Sequence, residues 1–421
     1  MKYNSLYIHE IVTSVSETHA FDKDRLFAVN TSNVEKGVIL SPPLVNVDEL
    51  KGQFKKTIQK DDILFSEIRP ANQHYALVSI QDTRDYVVST KLMVLRLINK
   101  SVDLLYFYYW LTNNNFLAIL QSRAENRICS FPQITFDLLS EYLVPIPELE
   151  IQKKISVFIK TIDDKISNNN AINAELEALA KTIYDYWFLQ FEFPNEEGLP
   201  YKSSGGKMVW SEELKREIPE GWGVKNIRAV CDIVDCLHSK KPDYSFEDEN
   251  YYLLQLENLT SSGYIDLSEK YFITKEDYLN WTSKIEIQEN DFVITNAGRT
   301  GAVGMIPAGV KCALGRNFTA IRPKMINPYY LRMFLQSPYM EIQIKSNLDS
   351  GAFFKSFNVK SIKEILVLVP DTHTLTRASE IFTFLVKKIE QQIAENQELA
   401  ALRDWLLPML MNGQVGFKDT K

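Results

Sequence analysis

Four cysteines in 421 residues (Cys129, Cys231, Cys236 and Cys312) are too few and too scattered for a disulfide framework. Cys231 and Cys236 have no matching second pair, so reduced thiols are expected and a metal site is not. The five histidines (His9, His19, His74, His238 and His373) lie far apart, with neither metal-ligand nor triad spacing, and each reads as an ordinary surface or loop residue. No apolar run approaches the roughly eighteen residues of a membrane span, and the polar opening MKYNSLYIHE is no signal peptide. A cytoplasmic protein without membrane contact is expected. A GxxxxGK[ST] loop is also missing, which excludes ATP hydrolysis by that route. Positive charge is in deficit, 47 Lys and Arg against 54 Asp and Glu, for a net charge of −7. That balance argues against a free-standing nucleic-acid binder, although local patches or partner subunits can supply what the total lacks.

What the chain has is a repeat. LVPIP (Leu143 to Pro147) leads into a long helical pattern, and LVLVP (Leu366 to Pro370) leads into another. Pro147 pairs with Pro370, Ile166 with Ile389, Asn173 with Asn396 and Leu176 with Leu399, always at the same offset (370 − 147 = 389 − 166 = 223). In the first helix Ile151, Ile155, Phe158, Ile162, Ile166, Ile172, Leu176, Leu179 and Ile183 recur mostly at three- and four-residue steps. Ile381, Leu385, Ile389, Ile393, Leu399, Leu402 and Leu406 do so in the second. One apolar seam and a wet face, sustained over several heptads, is a coiled-coil pattern. Each helix of roughly forty residues would be about 60 Å long. Asn173 and Asn396 interrupt the seams at equivalent positions, where a buried Asn fixes register and a half-exposed one does nothing. Both readings stand at this point.

The segments before the helices repeat as well. DILFS (Asp62 to Ser66) answers to DFVIT (Asp291 to Thr295), EKGVI (from Glu35) to SSGYI (ending at Ile265), and DLLYFYYWL (from Asp103) to NPYYLRMFL (from Asn327). Strands mix with helices without regular βαβ alternation. The fold class expected is α+β: two mixed α/β globular domains separated by two long helices that form an antiparallel coiled coil with an internal pseudo-twofold repeat. The expected boundaries are 1–147 for the first domain, 148–192 for its helix and 193–217 for a Gly-, Pro- and Ser-rich linker. The second domain takes 218–370, the second helix 371–413 and a tail 414–421.

Two fragments suggest catalysis and do not sustain it. NPYY (Asn327 to Tyr330) resembles an adenine methyltransferase motif, but the second Pro is missing and the repeat partner DLLY has no such motif. A helix start, with Asn327 as N-cap and Pro328 in the first turn, explains it better. AGRTGAVG (Ala297 to Gly304) has GxxGxxG spacing between strand-like runs, which reads as a hairpin loop and not a phosphate cradle.

The chain resembles a known family at its linker and at its end. Trp187 and Phe188 closing the first helix, GLPYKSSGG (Gly198 to Gly206), IPEGW (Ile218 to Trp222) and LLPMLMNGQV (Leu406 to Val415) are similar, in that order, to the specificity subunit of type I restriction–modification systems. The resemblance covers essentially the full chain. It departs from the pattern at the first domain, which has no IPEGW opening, and at VPDTHTL (Val369 to Leu375). The resemblance implies that each domain is a target recognition domain reading half of a bipartite site in double-stranded DNA. It implies a helical spacer that docks two methyltransferase subunits, with or without restriction and translocase subunits. The chain itself would be no enzyme and would bind no cofactor, S-adenosylmethionine, ATP and Mg belonging to the partners.

Base readout needs Arg, Lys, Asn, Gln, Ser or Thr on loops that reach a groove. The candidates are Ser66, Arg69, Asn72 and Lys91 in the first domain. In the second they are Lys240, Lys241, Arg299, Thr300, Arg316 and Asn317. The two sets differ, which predicts two different half-sites. A coiled-coil scaffold that positions proteins without touching DNA is the competing reading, favoured by the net charge.

Overall fold

The computed structural model describes residues 3–50, 52–126, 132–350 and 355–417. Cys129 lies outside the described residues. The chain divides into two compact units, Met1–Ser167 with Glu398–Lys421, and Asn168–Gln397. Each unit holds one globular domain and a segment of both long helices, Leu149–Tyr184 and Thr372–Met411.

In the first unit a four-stranded sheet runs in the order Val12–Val15, Leu92–Leu97, Ile63–Ser66, Tyr75–Leu77. Leu92 pairs with Ser66 and Leu95 with Ile63, antiparallel. Ile63 to Ser66 and Leu92 to Leu95 are buried at every position, which is why these strands read as unbroken apolar runs and not as alternations. A second four-stranded sheet takes Leu44–Asn46, Arg25–Val29, Tyr86–Ser89 and Phe54–Lys56. Helices Leu104–Leu111 and Asn114–Glu125 follow, the first capped by Asp103, whose carboxylate accepts from the Tyr106 N–H at 2.9 Å.

The second unit repeats this order with different residues. Its first sheet runs Cys231–Asp235, Phe318–Pro323, Phe292–Thr295, Val303–Met305, and its second Tyr271–Phe272, Tyr252–Leu253, Lys311–Ala313, Glu286–Gln288. Helix Pro328–Leu335 is capped by Asn327, whose side chain accepts from Tyr329 and Tyr330 N–H at 2.8 and 3.2 Å. NPYY is therefore a helix start, as its repeat partner suggests. Between Leu189 and Trp222 the linker is ordered: Met208–Ser211 pairs with Arg216–Pro219, and the Phe193 ring stacks on Trp222 at 4.9 Å.

In the second unit the helix segments run antiparallel, since contacts that rise along one helix fall along the other. In the second unit Asn170 bonds Asn396 at 2.9 Å and Tyr184 lies against Phe382. In the first, the Arg403 guanidinium meets Asp163 at 2.7 Å. Asn396 is engaged on both sides, accepting from Asn169 at 2.8 Å and donating to Asn170. Asn173, one turn further along, is buried with its side-chain oxygen unpartnered. The polar contact between helix segments is thus made by Asn169 and Asn170 with Asn396, and not by the pair that the repeat aligns.

Both domains carry the same buried ion pair. Arg96 makes two bonds to the fully buried Asp62 at 2.8 and 2.9 Å, and Arg322 makes two to Asp291 at 2.8 and 2.6 Å. Each Asp also accepts a backbone N–H, from Gln59 and Gln288 respectively. Removing the carboxylate strands a guanidinium and a turn amide together. Asp62→Ala and Asp291→Ala are each expected to cost about 3 kcal/mol in urea unfolding. A loss under about 1 kcal/mol would reduce the pair to the rank of a surface bridge.

Candidate nucleic-acid interface

In each domain the strand that starts at the buried Asp ends in a hairpin loop. The Ser66 N–H donates to the His74 carbonyl at 2.9 Å in the first, and the Thr295 N–H to the Ala302 carbonyl at 2.9 Å in the second. The hydroxyls of the same two residues hold the loops: Ser66 bonds the Ile68 carbonyl and amide at 3.1 Å, and Thr295 donates to the Arg299 carbonyl. The two loops keep one frame by different backbone means. The first has two left-handed residues, Arg69 (φ 47°) and Gln73 (φ 57°), around the single turn Pro70–Asn72. The second uses Gly298 and Gly301, both at positive φ.

The candidate readers sort by what the fold does with them. Ser66 is only 3% exposed and its hydroxyl belongs to the turn, so it shapes the loop and does not face outward. Arg299 bends back, its guanidinium donating to the carbonyls of Leu256 and Leu259. Those bonds close the Gly loop over a neighbouring turn, a role that spacing could not reveal. Arg69 and Asn72 stand on the exposed shoulder of the first hairpin, and Lys91 is exposed in the adjoining turn, its carbonyl accepting from the Glu67 N–H. Thr300 is half-buried in the second hairpin. Arg316 and Asn317 are exposed beside it, Asn317 in the left-handed region (φ 66°) with its carbonyl accepting from the Asn296 N–H at 2.7 Å. Lys240 is exposed, whereas the Lys241 ammonium sits 3.5 Å from the centre of the Tyr271 ring, a cation–π contact.

The first hairpin encloses a cleft of about 270 Å³ lined by Thr31, Ser66, Ile68, Arg69, Asn72 and His74. His74, read from the sequence as an ordinary surface or loop residue, lines this cleft. Histidine spacing also concealed a local group in the second domain, where Asp235, Cys236 and His238 bring one ligand-type atom each within 4.8 Å of one another. His238 is the only histidine of that group and is exposed. The Asp235 carboxylate holds His238 Nε2 at 2.9 Å, while the Cys236 sulfur lies 4.0 Å from Nδ1, on the other side of the ring. Burial pushes the Cys236 thiol up, away from the thiolate a metal needs. The group is a hydrogen-bonded His–Asp pair at the root of a loop.

The family model described as Type I restriction modification DNA specificity domain matches residues 8–178 and again 219–401. The chain belongs to the type I restriction–modification DNA specificity family. It is 26% identical to the Type I restriction enzyme HindI specificity subunit of Haemophilus influenzae, over 92% of this chain and 94% of that one. It is 24% identical to the MjaIX specificity subunit of Methanocaldococcus jannaschii, over 69% of this chain and 64% of that one. The crystal structure of a type I restriction–modification S subunit from M. genitalium shares the fold, with a TM-score of 0.52, 16% identity and coverage of 100% of this chain and 97% of that one. As a type I specificity subunit the chain serves DNA recognition and is not itself an enzyme. Among the described residues no helix is long and apolar enough to cross a membrane.

The different fates of Arg299 and Arg316 give a direct test. In the assembled complex Arg316→Ala should leave thermal unfolding unchanged and flatten the plot of log K for DNA against log salt by about one unit. Arg299→Ala should instead lower the unfolding midpoint. An unaltered salt slope in Arg316→Ala would remove that residue from the interface.

Proposed function

We propose that each globular domain reads one half of a bipartite, asymmetric site in double-stranded DNA, and that the two helices form an antiparallel coiled-coil spacer holding the readers apart. The observation that carries this reading is one hairpin frame built twice with different side chains. Arg69 and Asn72 occupy it in the first domain, and Thr300, with Arg316 and Asn317 beside it, in the second. Lys91, Lys240 and Lys241 supply positive charge for phosphates. The proposed domain boundaries are those of the sequence analysis. A rod of about 60 Å spans more than one DNA turn of about 34 Å, so the bases between the half-sites go unread.

The helices also carry exposed apolar side chains that a solitary rod would not need. Ile172 and Leu179 stand a heptad apart on the first, Tyr186 follows at the next heptad step in the turn beyond it, and Phe384 stands 69% exposed on the second. We assign these faces to two methyltransferase subunits, which would bring S-adenosylmethionine, while restriction and translocase subunits would bring ATP and Mg. The complex would work in the cytoplasm. The net charge of −7 is the one feature that favours a scaffold without DNA contact.

Mapping methylated adenines in a methylation-free host that expresses this chain with its methyltransferase subunit tests the proposal. An asymmetric two-part motif with a constant unread gap is the expected result. A stable complex that leaves no methylated motif would overturn DNA reading in favour of the scaffold.

A further inference from the structure

The position of His74 is structurally equivalent in the two domains while its chemistry is not. Ser66 and His74 close the first hairpin by the same backbone bond that joins Thr295 and Ala302 in the second. A frame conserved between domains with an imidazole in one and a methyl group in the other marks a place where the domains differ in what they can bond.

The tautomer of His74 follows from its partner. Nδ1 lies 2.7 Å from the Val34 carbonyl oxygen, which can only accept, so Nδ1 carries the hydrogen. In the neutral ring Nε2 is then a bare acceptor. Among the described residues no other group bonds this side chain. The ring is half-buried and lines the cleft whose other walls are Thr31, Ser66, Ile68, Arg69 and Asn72. Its orientation is held by the Val34 bond and by the turn beneath it, so the acceptor is pre-set without a rotamer search.

We propose that His74 is a specificity-determining residue of the first domain, accepting through Nε2 a hydrogen bond from the exocyclic amino group of adenine or cytosine. Those amino groups are the donors that a base edge presents in the major groove, whereas guanine O6, thymine O4 and purine N7 are acceptors. An acceptor facing them leaves two lone pairs opposed, so His74 rejects a keto edge as well as welcoming an amino one. The proposal rests on the first domain reading a half-site.

Two substitutions separate reading from structure. In His74→Asn the shorter amide reaches the Val34 carbonyl in place of Nδ1 but places no acceptor at the Nε2 position. In His74→Gln the longer amide offers its oxygen near that position. Both are expressed as full-length chains with the methyltransferase subunit, and methylated motifs are compared with wild type. The expected result for His74→Asn is an unchanged unfolding midpoint, an unchanged second half-site, and preference at one position of the first half-site weakened on the order of tenfold. His74→Gln should keep that preference. A His74→Asn motif identical to wild type, or a fall in midpoint with weakened methylation at every base, would overturn the proposal and leave His74 a turn-holding residue. If wild type itself yields no two-part motif, the reading of the first domain fails and takes this proposal with it.

Discussion

A tyrosine hydroxyl ties each domain to the strand from which its long helix departs. Tyr106 donates to the Pro145 carbonyl at 2.6 Å, and Tyr330 to the Leu368 carbonyl at 2.7 Å. Both rings are fully buried, and burial pushes the Tyr330 hydroxyl well above the ordinary tyrosine range, so it remains a donor at any working pH. An unmade bond here would leave a carbonyl and a hydroxyl unsatisfied in an apolar core, a penalty of about 1–3 kcal/mol for each group. The helix that bears the tyrosine begins at a capped residue, Asp103 or Asn327, and the strand that accepts its bond runs straight into the long helix. One side chain thus couples domain core, strand and helix exit. Gln152 reinforces the link in the first unit, donating to the carbonyls of Ser101 and Pro147 and accepting from the Asp103 N–H.

The remaining junction is solved differently in the two halves. In the first unit the long helix contributes the cation: Arg403 meets Asp163 and Asp404 at 2.7 and 2.8 Å, and Asn114 bonds the same Asp404. In the second unit the position aligned with Arg403 by the repeat is Ala180 (403 − 223 = 180). There the domain contributes the cation instead. Arg332 is buried, donates to the Gly263 and Ser262 carbonyls at 2.8 and 3.1 Å, lies over the Tyr264 ring, and its charge acts on Glu177 and Glu390 of the long helices. Each solution needs its own acceptors, so a domain grafted onto the other helix segment would double the cation or lose it. The repeat therefore preserves backbone and exchanges side-chain electrostatics.

The parts that were legible in the sequence are those set by periodicity and by local rules. The two long helices, the capped start at Asn327 and the correspondence of Asp62 with Asp291 could all be read from residue type and spacing, whereas Phe158, Ile172, Leu179 and Leu402, read as seam, are exposed. What could not be read depends on where a side chain turns after the backbone is placed. Arg299 has the residue type of a reader, yet carbonyls of a turn some forty residues earlier in the chain claim its guanidinium. Ser66 is likewise a plausible reader until its hydroxyl is seen to close the loop. Asn396 finds Asn169 and Asn170 because antiparallel segments pair residues that a gap-free repeat alignment does not. His74 carried no signal at all, since the identity of its free nitrogen depends on a carbonyl forty residues away.

These failures share a cause, a fixed hairpin base beneath a tip that is free to vary. The hairpin frames are closed by backbone hydrogen bonds, Ser66 to His74 and Thr295 to Ala302, which leave the side chains at positions 74 and 302 free to differ. The strand beneath is anchored by a buried ion pair and apolar packing that face away from the loop. Substitution at the loop surface consequently costs little stability, whereas substitution at the anchor costs several times more. A domain organised in this way can exchange Arg, Asn, Thr or His at its tip without refolding its base. The cost of that freedom is paid at the few tip residues whose polar groups are already committed to the loop. Ser66 and Arg299 are such residues, and they are the ones least able to vary.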